Sequence, residues 1–210
     1  MAERLRILIV GAGVAGLTLA ALLRRDGHDL RVIDQRDPAA DAGYAIALWP
    51  HGSRVFHALG LHDAFVAQSE PMRRYVARRG DGRALTASTM PDSLTAHGHL
   101  GLVPRADLVA LLRQAAGERV VRDGLSIDEL TQQADHVEVR LSDGRQGEFD
   151  LVVGADGVGS RVRELLLGPV PERDTGWGCV VWWTEPALAE PGETAERYGT
   201  ASFRRHLSLP

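Results

Sequence analysis

Leu5-Arg6-Ile7-Leu8-Ile9-Val10-Gly11-Ala12-Gly13-Val14-Ala15-Gly16 is the stretch that decides the fold class. Leu5 to Val10 is a short, nearly continuous apolar run, the pattern of a strand buried on both faces, as in a parallel sheet. Glycines end it. From Val14 to Arg25, Leu17, Ala20, Ala21 and Leu22 or Leu23 recur at helical spacing until Asp26-Gly27 stops them, and Leu30 to Asp34 reads as a second strand. Strand, glycine turn, helix and strand make a βαβ unit, whose crossover is right-handed in nearly all cases. The fold class is therefore α/β.

The glycines have separate tasks. Gly11 permits the tight turn out of the strand, Gly13 lets the backbone approach a pyrophosphate, and Gly16 lets the helix pack closely on the sheet. Val14 and Ala15 open the helix, whose positive dipole end faces the phosphates. Asp34 closes the next strand at the expected distance of about 20 residues, where a carboxylate accepts hydrogen bonds from a ribose and repels a 2′-phosphate. Gly11, Gly13, Val14, Ala15, Gly16 and Asp34, with Gln35 and Arg36 after it, are candidate dinucleotide-binding residues. They do not by themselves choose between dinucleotides.

Outward from this unit, Gly52 to Leu61 reads as a helix stopped by Gly60. Arg73 to Arg79 and Arg83 to Ser88 flank Gly80-Asp81-Gly82 as a hairpin, and Ala106 to Ala116 is a helix closed by Gly117. Strands are expected at Leu125 to Gln132, His136 to Leu141 and Gln146 to Phe149, with Ser142-Asp143-Gly144 as the last turn. Asp150 to Val153 is again a buried-strand run, followed by Gly154-Ala155-Asp156-Gly157 and a helix from about Ser160 to Leu167. After Pro169 the pattern changes: Gly178 to Thr184 and Arg197 to His206 read as strands of a second sheet.

Four stretches carry a resemblance. Gly154-Ala155-Asp156-Gly157-Val158-Gly159-Ser160-Arg161-Val162-Arg163 is similar to the G-A-D-G-x-x-S-x-V-R segment of the p-hydroxybenzoate hydroxylase-like flavoprotein monooxygenases. Gly43-Tyr44-Ala45-Ile46-Ala47-Leu48-Trp49-Pro50-His51-Gly52 resembles that family's stretch near the flavin, with His51 in place of the usual Asn. Arg105 in Val103-Pro104-Arg105-Ala106-Asp107-Leu108 resembles an arginine that approaches the cofactor, and Arg36 resembles the arginine after the acidic residue. Asp34 departs from the longer Glu more common at its position. The resemblance implies FAD as cofactor, NADPH or NADH as reductant, O2 as oxidant and a small aromatic or polyketide-like substrate. Asp156 and Gly157 join the cofactor-binding candidates, and no side chain is nominated as catalytic. It also implies a Rossmann-like FAD-binding domain over residues 1–170, with β-rich insertions at about 72–103 and 119–149. Residues 171–210 would begin an antiparallel substrate-binding sheet. A third motif of the family, G-D-A-A-H with P-x-x-G-Q-G, does not occur in this chain. The alternative expectation is therefore a truncated, inactive nucleotide-binding remnant.

Composition narrows the field. All 24 basic residues are Arg, which excludes lysine-dependent halogenase chemistry and a Tyr-Lys dehydrogenase pair. A net charge of −4 gives no electrostatic reason to expect nucleic acid. Cys179 is the single cysteine, so an intrachain disulfide and a Cys-ligated metal cluster are ruled out. The sequence has no metal motif, since His97-Gly98-His99 lacks a neighbouring Cys or carboxylate. The start, Met1-Ala2-Glu3-Arg4, does not read as a signal peptide, and no apolar run suffices for a bilayer. A cytoplasmic protein without a membrane partner is expected.

Overall fold

The computed structural model describes residues 3–37, 44–171, 173–176, 190, 192–198 and 203–207. In chain order the elements begin with β1 (Arg6–Val10), α1 (Val14–Arg25), β2 (Asp29–Asp34), β3 (Ala45–Leu48), α2 (Pro50–Leu59) and α3 (His62–Ala67). They continue with β4 (Glu70–Pro71), β5 (Arg74–Arg79), β6 (Ala84–Thr89), α4 (Asp92–Thr95), β7 (Gly101–Pro104) and α5 (Arg105–Ala116). A 3-10 turn (Glu118–Val120) leads to β8 (Val121–Asp123), β9 (Ile127–Gln132), β10 (Val137–Leu141), β11 (Gln146–Phe149) and β12 (Leu151–Gly154). Last come α6 (Arg161–Leu167), β13 (Glu193–Tyr198) and β14 (Phe203–Leu207).

Two compact units interleave along the chain. The first comprises Met1–Asp41 and Val109–Cys179, the second Ala42–Leu108 and Val180–Pro210. In the first, a parallel sheet of order β12-β1-β2-β8 has β1 inside it. Ile7, Leu8, Ile9 and Val10 are all buried, as a continuous apolar run requires of a strand covered on both faces. Leu8, Val10 and Ile33 share a core with Ile127, Val137, Val139 and Phe149 of the antiparallel meander β9-β10-β11, and with Val162 of α6. The Rossmann-type sheet and the inserted meander are thus one hydrophobic body.

In the second unit β3, β7 and β4 form a small antiparallel sheet, and the stacked rings of Phe56 and Phe65, 4.7 Å apart, join α2 to α3. A four-stranded sheet runs β14-β13-β5-β6, antiparallel except for the parallel pair β13 and β5. The buried carboxylate of Glu196 ties this sheet together. It accepts hydrogen bonds from the hydroxyls of Tyr75 and Tyr198 and from Arg205 Nε. Strands at 193–198 and 203–207 therefore share one sheet with strands at 74–79 and 84–89.

Several sequence expectations change. Arg197 to His206, read as one strand, belongs to two: β13 and β14 run antiparallel with Tyr198 opposite Phe203. The strand expected from Leu125 starts at Ile127, and β8, only three residues long, carries no periodicity to reveal it. The helix expected from Gly52 starts earlier, with Pro50 in its first turn, where a missing N–H costs nothing. It ends at Gly60 in the left-handed conformation, φ 70°, as expected. Gly178 to Thr184, including Cys179, Trp182 and Trp183, lies outside the described residues, as does Trp177. No helix among the described residues is long and apolar enough to cross a membrane.

His97 is exposed, whereas His99 is half-buried with Nε2 2.7 Å from Ser69 Oγ and its ring edge-on to Phe65. Among the described residues no group of three or more His, Cys, Asp or Glu could hold a metal ion. Burial lowers the pKa of His99, and nearby His62 lowers it further. A histidine depressed in the folded state contributes stability that is complete above its unfolded pKa of about 6.5 and is lost as the pH falls through the folded value. Thermal melts should therefore show a lower midpoint at pH 5 than at pH 7.5, with His99→Gln narrowing the gap. An unchanged gap in that variant would assign the acid sensitivity elsewhere.

Candidate functional site

At the carboxyl edge of the parallel sheet, β1 ends in the glycine turn, β2 in Asp34 and β12 in Gly154. Open α/β sheets bind ligands at this edge. Gly11 adopts φ +113°, and a Cβ built on it would lie 2.3 Å from the carbonyl oxygen of Ala155. A Cβ on Gly16 would lie 1.9 Å from the carbonyl oxygen of Gly11. Both glycines are dictated by packing, Gly11 against the Ala155–Asp156 backbone and Gly16 against the turn itself. Gly13 is not: a Cβ there would meet nothing within 4 Å, and its φ of −78° suits any residue. Its backbone borders open space.

The start of α1 is prepared for an anion. Gly13 is the N-cap and supplies no side-chain cap, and the first turn contains no acidic residue. The first N–H groups of a helix have no partner within it, so Val14, Ala15 and Gly16 offer donors at the positive end of the dipole. These residues fit a pyrophosphate.

Asp34 is buried, and its two oxygens organise the turn. Oδ2 accepts the Ala12 N–H at 2.7 Å and Oδ1 the Arg36 N–H at 2.9 Å. Arg36 Nε lies 3.5 Å from the same Oδ1, while Gln35 is exposed. The shorter Asp is thus accommodated by drawing the backbone of the glycine turn onto it. Each carboxylate oxygen has a second lone pair, so acceptor capacity for a ribose hydroxyl remains.

The second motif is a turn locked by its own residues. Asp156 Oδ1 accepts from Ser160 Oγ at 2.6 Å, and Oδ2 accepts the Val162 N–H at 3.1 Å. Ser160 caps α6 by accepting the Arg163 N–H at 3.0 Å. Arg163 donates back to the Val158 carbonyl at 2.7 Å, and Arg161 pairs with Glu164 at 2.8 Å. Gly157 sits at φ +81°, a conformation that favours glycine. The contacts account for Ser160 and Arg163 as structural parts of the turn that follows Gly154, while Arg161 serves its own helix. The Ala155 N–H bonded to the Val10 carbonyl at 2.7 Å anchors that segment beside the first glycine turn.

Gly11, Gly13, Val14, Ala15, Gly16, Asp34, Gln35, Arg36, Asp156 and Gly157 all fall in the first unit, at or next to this edge. Arg105 belongs to the second. There its backbone N–H donates to the Tyr44 carbonyl at 2.9 Å, and its buried guanidinium lies 5.7 Å from the centre of the Tyr44 ring. Burial of an arginine is uncommon and removes the bland reading of Arg105 as a solvated surface charge. Sequence reasoning missed the Ala12 N–H, because a backbone donor leaves no trace in residue identity.

The FAD binding domain family matches residues 4–196. The 3-amino-4-hydroxybenzoate 2-monooxygenase of Streptomyces cremeus is 36% identical over 170 residues, 80% of this chain and 43% of that protein. The 6-hydroxynicotinate 3-monooxygenase of Pseudomonas fluorescens is 31% identical over 208 residues, 88% of this chain and 54% of that protein. The crystal structure of Klebsiella pneumoniae HpxO complexed with FAD and uric acid matches with a TM-score of 0.82 at 26% identity, over 95% of this chain and 52% of that one. The chain spans about half the length of the curated relatives it matches. It belongs to the FAD binding domain family.

Proposed function

We propose that this chain binds FAD as the N-terminal part of a monooxygenase that hydroxylates a small aromatic or polyketide-like molecule, using NADPH or NADH and O2, in the cytoplasm. The observation that carries the reading is the unobstructed turn at Gly13, which leads into an uncapped helix start without acidic residues and is tied to Asp34 through Ala12. Gly11 to Gly16 hold the pyrophosphate, and Asp34, with Gln35 and Arg36, receives the adenosine ribose. Asp156 and Gly157 keep the second glycine segment at the same edge, and Arg105 is assigned to the cofactor on the family resemblance alone. Bound flavin would supply the redox chemistry, while the protein binds, orients and shields it. The first unit is the cofactor domain under this reading, and the four-stranded sheet of the second belongs to the substrate side.

The test is an absorbance spectrum of the purified chain after incubation with FAD and desalting, followed by NADPH or NADH in air. Retained flavin absorbance that bleaches on nicotinamide addition is the expected result. A colourless protein would favour the second reading, an inactive remnant.

A further inference from the structure

The short strand β8 brings a second carboxylate to the cofactor edge. In the parallel pairing of β2 with β8, Asp34 stands opposite Asp123, so two acidic side chains close neighbouring strands. Arg113 of α5 grips Asp123 with both arms of its fork, Nη1 to Oδ2 at 2.9 Å and Nη2 to Oδ1 at 2.6 Å. The pair is partly exposed, with side-chain exposures of 20% and 30%. Arg113 Nε is buried and has no hydrogen-bond partner among the described residues. The hydrogen bonds to Asp123, working against burial, strengthen the guanidinium's hold on its proton, and the charge of Asp34 contributes to the same field.

An unpaired Asp123 would put an additional negative charge beside Asp34, at an edge where the ligand itself carries a dianionic pyrophosphate. We propose that Arg113 is a positioning residue for the FAD site. By neutralising Asp123 it prevents the second carboxylate from repelling the cofactor at the Asp34 edge. The proposal rests on the reading of this unit as an FAD site. It assigns Arg113 no direct contact with flavin chemistry.

Equilibrium titration of FAD into the wild-type chain, read by flavin fluorescence, comes first. Wild-type protein that binds no FAD overturns the site reading, and this proposal with it. Where wild type binds, Arg113→Met should weaken affinity about fivefold at low ionic strength, the upper end for a partly exposed ion pair. Raising the salt should shrink that loss, because screening acts on charge repulsion. Arg113→Met combined with Asp123→Asn should return affinity to within about twofold of wild type, since the offending charge is gone. Arg113→Met that binds FAD as tightly as wild type overturns the proposal alone. So does a loss that neither salt nor Asp123→Asn relieves, which would assign Arg113 to packing between α5 and β8.

Discussion

Gly16→Ala is expected to cost about 3 kcal/mol or more of folding stability, enough to lose most of the soluble folded protein. The added methyl carbon would stand 1.9 Å from the Gly11 carbonyl oxygen and 3.3 Å from the Ala155 Cβ, and the oxygen belongs to backbone that cannot swing aside. The same oxygen lies in the turn whose Gly11 N–H donates to the Ile33 carbonyl at 2.7 Å, so relief would disturb the link between β1 and β2. A domain of ordinary stability holds only about 5–15 kcal/mol in total. Urea denaturation measures the loss directly. Gly13→Ala is the informative companion, because its methyl would meet no atom within 4 Å. It should fold within about 1 kcal/mol of wild type, the cost of a poorer N-cap residue, yet bind FAD at least about tenfold more weakly. Such a split would show that one glycine serves packing and the other serves close approach of a ligand. Equal FAD affinity in Gly13→Ala would remove the pyrophosphate from this turn.

Asp34→Ala should affect both stability and cofactor. The Ala12 N–H is buried, and without its 2.7 Å acceptor it becomes an unpaired donor at a cost of about 1–3 kcal/mol. The Arg36 N–H loses its acceptor as well. Since the same carboxylate is the proposed ribose ligand, FAD affinity should fall about 100-fold, with a slackened glycine turn adding to the lost contact. Asp34→Asn retains one oxygen and should fall between the two. Denaturant melts and flavin titration of the three proteins separate the effects. If Asp34→Ala keeps its affinity for FAD while losing stability, Asp34 is a strut for the turn and nothing more.

The βαβ unit was legible in the sequence because its signals are local. An apolar run, three glycines and an acidic residue at fixed spacing report a strand buried on both faces and a turn that only glycine can make. Asp34 was legible by position, but its partner was not, since no side chain marks the Ala12 N–H. The Asp156 motif was visible as a resemblance, yet only the structure shows Ser160 and Arg163 spent on locking the turn. Asp123 and Arg113 were invisible for a different reason. Three residues of β8 have no period, and the pairing that sets Asp123 beside Asp34 is a tertiary event. The same holds for Glu196, whose two tyrosine partners come from separate strands of the four-stranded sheet.

The parallel pairing of β5 with β13 has a consequence for synthesis. Tyr75 and Glu196 are bonded across 121 positions of the chain. At translation speeds of about 5–20 residues per second, β5 emerges from the ribosome on the order of 10 s before the strand that will cover its flank. Throughout that interval the nascent hairpin exposes an open edge to other nascent chains. Arg74, Arg78 and Arg79 lie on that strand, and like charges facing one another discourage edge-to-edge pairing between copies. The arginines that look like surface decoration on the finished sheet act earlier, guarding an unfinished one.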